Sequence, residues 1–131
     1  MKSQRGQAMV ELALVLPVAL LLIAAVLLVA EVGVARLALE HGAAEAARAG
    51  ALTNDDALVR ATAAAAVAPL DSARVAVTIE PAQNAPPRSS APRGSLVRVE
   101  LRYVVPLPLG FAGLPRLVVL GKAARRIEWS P

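Results

Sequence analysis

The chain has 131 residues, room for one compact domain beside a membrane segment, and its 56% hydrophobic content is high for a soluble domain. It contains no cysteine, which excludes disulfide frameworks, thiol catalysis and cysteine-ligated zinc together. Its 14 Lys and Arg against 10 Asp and Glu give a net charge of +4, but the basic residues are scattered, and Tyr103, Phe111 and Trp129 are too few aromatics for a base-stacking platform, so nucleic acid is not expected as a partner.

The first residues, Met1 to Gln7, are mostly polar and include Lys2 and Arg5; after a short transition containing Glu11, the run from Leu12 to Ala30 carries no charge. At about 1.5 Å per residue, such a run is long enough to cross a hydrocarbon layer of about 30 Å as a helix. An ordinary secretory signal has a shorter apolar core, about 7 to 15 residues, and small residues at its cleavage site. Here the best late candidate, Leu28-Val29-Ala30, begins with a large residue, so the helix is expected to stay on the protein as an anchor. Pro17 removes one backbone hydrogen bond inside it, and a tolerated kink and a functional hinge are both open readings.

Beyond Ala30 the helical pattern continues to about Leu52. Arg36 with Glu40 and His41 with Glu45 are spaced for i,i+4 pairing, and Glu45 with Arg48 for i,i+3 pairing. The outer part of so long a helix is expected to stand clear of the bilayer. Ala38, Leu39, Gly42, Ala43, Ala46, Ala49 and Gly50 form a stripe at helical spacing whose members are nearly all small. Such a stripe admits another backbone closely, either the chain's own sheet or a helix of another subunit.

Thr53-Asn54-Asp55-Asp56 is rich in residues that cap helices, and a short second helix is expected from Ala57 to Ala68, ended by Pro69. Alternation then marks strands: Val75, Val77 and Ile79 against Ala76, Thr78 and Glu80, and further on Val97, Val99, Leu101, Tyr103 and Val105 against Arg98, Glu100 and Arg102. Between them, residues 81–95 combine prolines with Ala, Ser and Arg and show no apolar period, so a flexible loop is expected there. A second connection, Pro106 to Pro115, leads to a last strand from about Leu117 towards Trp129. The fold class is α+β: a long N-terminal transmembrane helix, a short second helix and a small three-stranded antiparallel sheet. So small a core is expected to lean on its own long helix or on neighbours.

No residue set for an enzyme is visible. His41 is the only histidine and reads as a solvated helix residue, and the carboxylates form no cluster. Gly121-Lys122 lacks the Ser or Thr and the first glycine of a phosphate loop, because Ala123 and Arg116 occupy those positions. No catalysis, cofactor, metal or small-molecule substrate is expected.

One carboxylate stands out. Glu11 lies at the start of the membrane run, and a charge at mid-bilayer costs about 2.5 to 3.5 kcal/mol, so it either solvates itself at the interface or meets a partner. The block Gly6-Gln7-Ala8-Met9-Val10-Glu11, behind a short basic leader and ahead of a long apolar segment, resembles the type III signal of prepilins. That resemblance implies cleavage between Gly6 and Gln7 by a prepilin peptidase at the cytoplasmic face. It also implies an assembly role for Glu11, pairing with the mature N-terminal amine of a neighbouring subunit. The wider stretch Arg5 to Pro17, with Ala43-Ala44-Glu45-Ala46-Ala47-Arg48-Ala49-Gly50 and the end Ala123-Ala124-Arg125-Arg126-Ile127-Glu128, resembles TadE-like proteins of the tight-adherence (Flp) pilus system. Members of that family often have an aromatic after the glutamate, where this chain has Leu12.

The resemblance divides the chain into a leader at 1–6, a transmembrane and extended helix at 7–52, and an extracytoplasmic domain at 53–131. It implies a minor pilin or pseudopilin that helps assemble the pilus by helix packing. Its partners would be the prepilin peptidase, other pilins or pseudopilins of the Tad system and the lipid of the bacterial inner membrane. The alternative is a signal-anchored envelope accessory protein with no pilus role.

Overall fold

The computed structural model describes residues 2–106 and 116–131, with side chains from Gly6 onward. The expected connection ending at Pro115 therefore lies, beyond Pro106, outside the described residues. The chain divides into two compact units, Met1–Glu31 and Val32–Pro131. Helix α1, Lys2–Thr53, contributes to both and continues through Pro17. Helix α2 spans Asp56–Ala66, and after a short 3-10 turn, Ser72–Arg74, come strands β1, Val75–Glu80, β2, Leu96–Val105, and β3, Leu117–Arg126. The fold is α+β, with a sheet of order β1-β2-β3 in which both pairings are antiparallel.

The junction between the helices is made by three successive residues with different duties. Asn54 takes a left-handed φ of 51° and returns its N–H to the Gly50 carbonyl at 2.9 Å, closing α1. Asp55 caps α2, its carboxylate accepting the Ala57 N–H at 2.8 Å. Asp56 opens α2 and places a negative charge in its first turn, where the helix dipole favours one.

The register stacks the inward residues of the three strands in rows, such as Val77, Leu101 and Gly121, or Ile79, Val99 and Ala123. Val97, Val99, Leu101, Tyr103 and Val105 of the central strand are all buried. Against this face lies the small-residue stripe of α1: Ala38, Leu39, Gly42, Ala43, Ala46 and Gly50 are buried within the second unit and Ala49 half-buried, and the burial extends to Ala35, Ala47 and Ala51. Of the two occupants open for the stripe, the chain's own sheet takes it. The fit depends on glycine. A Cβ at Gly121 would lie 2.4 Å from the backbone carbonyl of Leu39, and one at Gly42 would lie 2.7 Å from Val67 Cγ1. Gly33, by contrast, has nothing within 4 Å of an added Cβ.

The edges and ends are tied by polar contacts. Arg60 of α2 donates to the Val77 carbonyl of β1 at 2.8 Å, occupying an acceptor on an edge strand. Past β3, Ile127 N–H donates to the Ser95 carbonyl and Gly94 N–H to the Ile127 carbonyl, both at 2.8 Å. The next two N–H groups, of Glu128 and Trp129, both donate to the Ala51 carbonyl near the end of α1, at 2.8 and 3.2 Å.

Residues 81–95 hold a contact their composition does not announce. Arg88 is fully buried; its Nη2 sits 2.8 Å from Asp56 Oδ1, its Nε donates to Asn54 Oδ1 at 3.1 Å, and its Nη1 donates to the Pro81 carbonyl. Among the described residues, neither Asp56 Oδ1 nor Arg88 Nη2 has a hydrogen-bond partner besides this ion pair. Asp56 and Gln83 also exchange bonds, Gln83 N–H to Asp56 Oδ2 at 2.9 Å and Asp56 N–H to Gln83 Oε1 at 3.1 Å. The segment expected to be a loose loop is thus pinned to the helix junction. Arg88 and Gln83 provide its anchors.

These contacts set the expected response to substitution. Arg88→Ala strands a partly buried Asp56 carboxylate and is expected to destabilise the second unit by about 3 kcal/mol, read from the denaturant midpoint of the detergent-solubilised chain. Gly121→Ala forces helix and sheet apart and is expected to cost at least about 2 kcal/mol in the same assay, whereas Gly33→Ala meets no neighbour and is expected to leave stability unchanged or raised by up to about 1 kcal/mol.

Candidate functional site

The N-terminal block is helical throughout, and Gly6, Gln7 and Glu11 are all exposed. Gln7 and Glu11 lie one turn apart, with a long hydrogen bond of 3.5 Å from Gln7 Nε2 to Glu11 Oε1. Gly6 precedes them with open space around it: an added Cβ would have nothing within 4 Å. No packing within the fold therefore calls for glycine at this position, although glycine inside a helix costs about 1 kcal/mol relative to alanine. The three residues are brought together by helical spacing alone.

On both sides of Glu11, up to Ala30, α1 presents an apolar surface that stays exposed. From Met9, 76% exposed, to Val29, 73% exposed, large aliphatic side chains project all round α1, and none is buried. Each such side chain is worth about 1.5 to 3 kcal/mol when removed from water, so the segment demands an apolar environment outside the chain. Helix α1 is long and apolar enough to cross a membrane. A helix that is apolar on every side satisfies its backbone internally and leaves only its side chains to meet lipid.

On the outer half of α1 the expected surface pairs sort differently. Arg36 Nε and Glu40 Oε1 meet at 2.9 Å. Glu45 is half-buried while Arg48 is exposed, and the two are not within salt-bridge distance. Sequence spacing alone could not make that distinction, because it depends on which side of the helix the sheet covers.

An exposed apolar N-terminal helix joined to a small helix-and-sheet unit fits the class of single-pass, membrane-anchored proteins. Comparison with protein families narrows this: residues 6–48 match the family model described as TadE-like protein. The resemblance seen in the sequence is therefore recovered over the N-terminal block, the apolar run and most of the small-residue stripe. No curated protein and no solved structure gives a significant match.

Proposed function

We propose that this chain is a minor pilin or pseudopilin of a Flp-type pilus, held in the bacterial inner membrane by α1 with the rest of the protein outside. The observation that carries this reading is where the TadE-like match starts. It begins at Gly6, the residue directly before the proposed cut, and Glu11 lies beyond it at the spacing that a prepilin signal requires. A glycine that the fold does not need, ahead of a helix that the fold does not cover, is consistent with a requirement set by other molecules: a prepilin peptidase at Gly6–Gln7 and neighbouring subunits at Glu11. The protein acts by packing rather than by turnover. Its membrane helix assembles beside those of other Tad pilins or pseudopilins, and Glu11 supplies the charge that a freed N-terminal amine would meet in a low-dielectric setting.

Processing and assembly separate in two substitutions. Gly6→Val has room in the fold, so its effect falls on the peptidase: the leader stays on, and the intact mass of the membrane-extracted protein is unshortened, where the native chain gives a mature N-terminus at Gln7. Glu11→Ala lowers the cost of inserting the helix, so cleavage survives while piliation fails in cells lacking the native copy. Normal piliation with uncleaved Gly6→Val would leave the signal-anchored accessory protein as the better description. Topology is tested independently: protease added to spheroplasts is expected to remove residues beyond about Glu31, and complete protection would reverse the orientation.

A further inference from the structure

We propose that a groove between the last turn of α1 and the end of β3 takes an acidic segment of another subunit, with Arg48 and Arg125 as its counter-charges. The groove has a volume of about 350 Å³ and is lined by Arg48, Ala51, Leu52, Arg125 and Glu128. Its two arginines come from opposite ends of the folded unit's sequence and meet only because β3 returns to the end of α1. Among the described residues no carboxylate lies within salt-bridge distance of either, whereas Arg36, Arg88 and Lys122 each have one. Arg98 and Arg102 also lack ion pairs among the described residues; Arg98 lines a cavity of about 460 Å³, but there it stands beside Glu80 and without a second arginine.

The groove is held in shape by the chain itself. Glu128 and Trp129 N–H groups both bind the Ala51 carbonyl, and Arg125 sits opposite the buried Val97 in the β2–β3 ladder. Its floor includes Leu52, an apolar side chain 52% exposed. Two guanidinium groups beside a small apolar patch suit a carboxylate carried on a protein segment, because each guanidinium can donate in parallel to both carboxylate oxygens while an adjacent aliphatic group covers Leu52. Glu128 on the same rim opposes a second negative charge, which disfavours multiply charged phosphate. That the segment belongs to a pilus subunit rests on the function proposed above; the chemistry of the groove does not.

The test uses the full chain in phosphatidylcholine nanodiscs and a fluorescein-labelled peptide, Ala-Leu-Glu-Ala-Leu-Glu-Ala, monitored by anisotropy at low salt. Binding is expected to saturate, to weaken at least about tenfold in the double variant Arg48→Glu, Arg125→Glu, and to strengthen about twofold in Glu128→Gln. Both arginines are exposed, so the double variant is expected to keep the native unfolding midpoint. The glutamine analogue of the peptide is expected not to bind. Absence of binding to the wild-type chain, unchanged affinity in both variants, or displacement by inorganic phosphate as effective as by unlabelled peptide would each overturn the proposal. These outcomes are read without a pilus. Failure here leaves Gly6 and Glu11 untouched, and failure of the processing experiment leaves the groove untouched.

Discussion

The folded unit depends on how closely α1 lies against its sheet. Gly121 rests on the Leu39 backbone at a distance that no Cβ could share, and Gly42 and Gly50 receive side chains of Val67 and Val59 in the same way. With a helix face made mainly of alanine, each contact contributes little apolar area, so stability has to come from many close contacts rather than a few large side chains. Leu39 is the exception, a fully buried large residue set among small ones. This arrangement uses up the stripe inside the molecule. If α1 also packs against other subunits, it does so through other surfaces.

A second constraint sits at the turn between the helices, where a polar cluster replaces an apolar core. Asn54, Asp56, Gln83 and Arg88 bind one another across a long stretch of sequence, and the arginine is completely removed from water. Such a pair is costly to desolvate and contributes less to net stability than its geometry suggests. Its value lies in fixing one arrangement: the guanidinium accepts only partners placed around its plane, so the loop, the end of α1 and the start of α2 must agree in position. The fold's polar interior thus specifies what its small apolar interior leaves underdetermined.

Much of this is legible in the sequence, for physical reasons that differ by region. The strands can be read because one face of each is buried, which writes a period of two into Val97 to Val105. The apolar run is legible because its side chains stay exposed, so every position has to be apolar. The small-residue stripe announces a close neighbour without naming it, since a sheet and a foreign helix both need short side chains. Residues 81–95 mislead because composition averages over a segment, and a single buried Arg88 outweighs the polar residues around it. The groove at Arg48 cannot be read at all. Its members are distant in sequence, and nothing in the spacing of Glu45 and Arg48 reveals that the sheet draws one towards the interior and leaves the other outside. The block from Gly6 to Glu11 is read from motif alone: its residues are exposed, and no packing within the fold calls for glycine at Gly6.

The sheet that covers Leu39 is made from residues synthesised long after it, and β3, which brings Gly121 onto its backbone, comes last of the three strands. Until then the Leu39 backbone lacks the neighbour that lies closest to it. During synthesis the helix therefore emerges with its future core exposed. A face built of alanine and glycine offers little greasy surface to a passing partner, whereas a leucine-rich one would invite premature association. The same smallness of side chains that makes the finished contact so close keeps the unfinished chain unattractive. Folding is then committed late, when the returning strand closes on a helix that has been waiting for it.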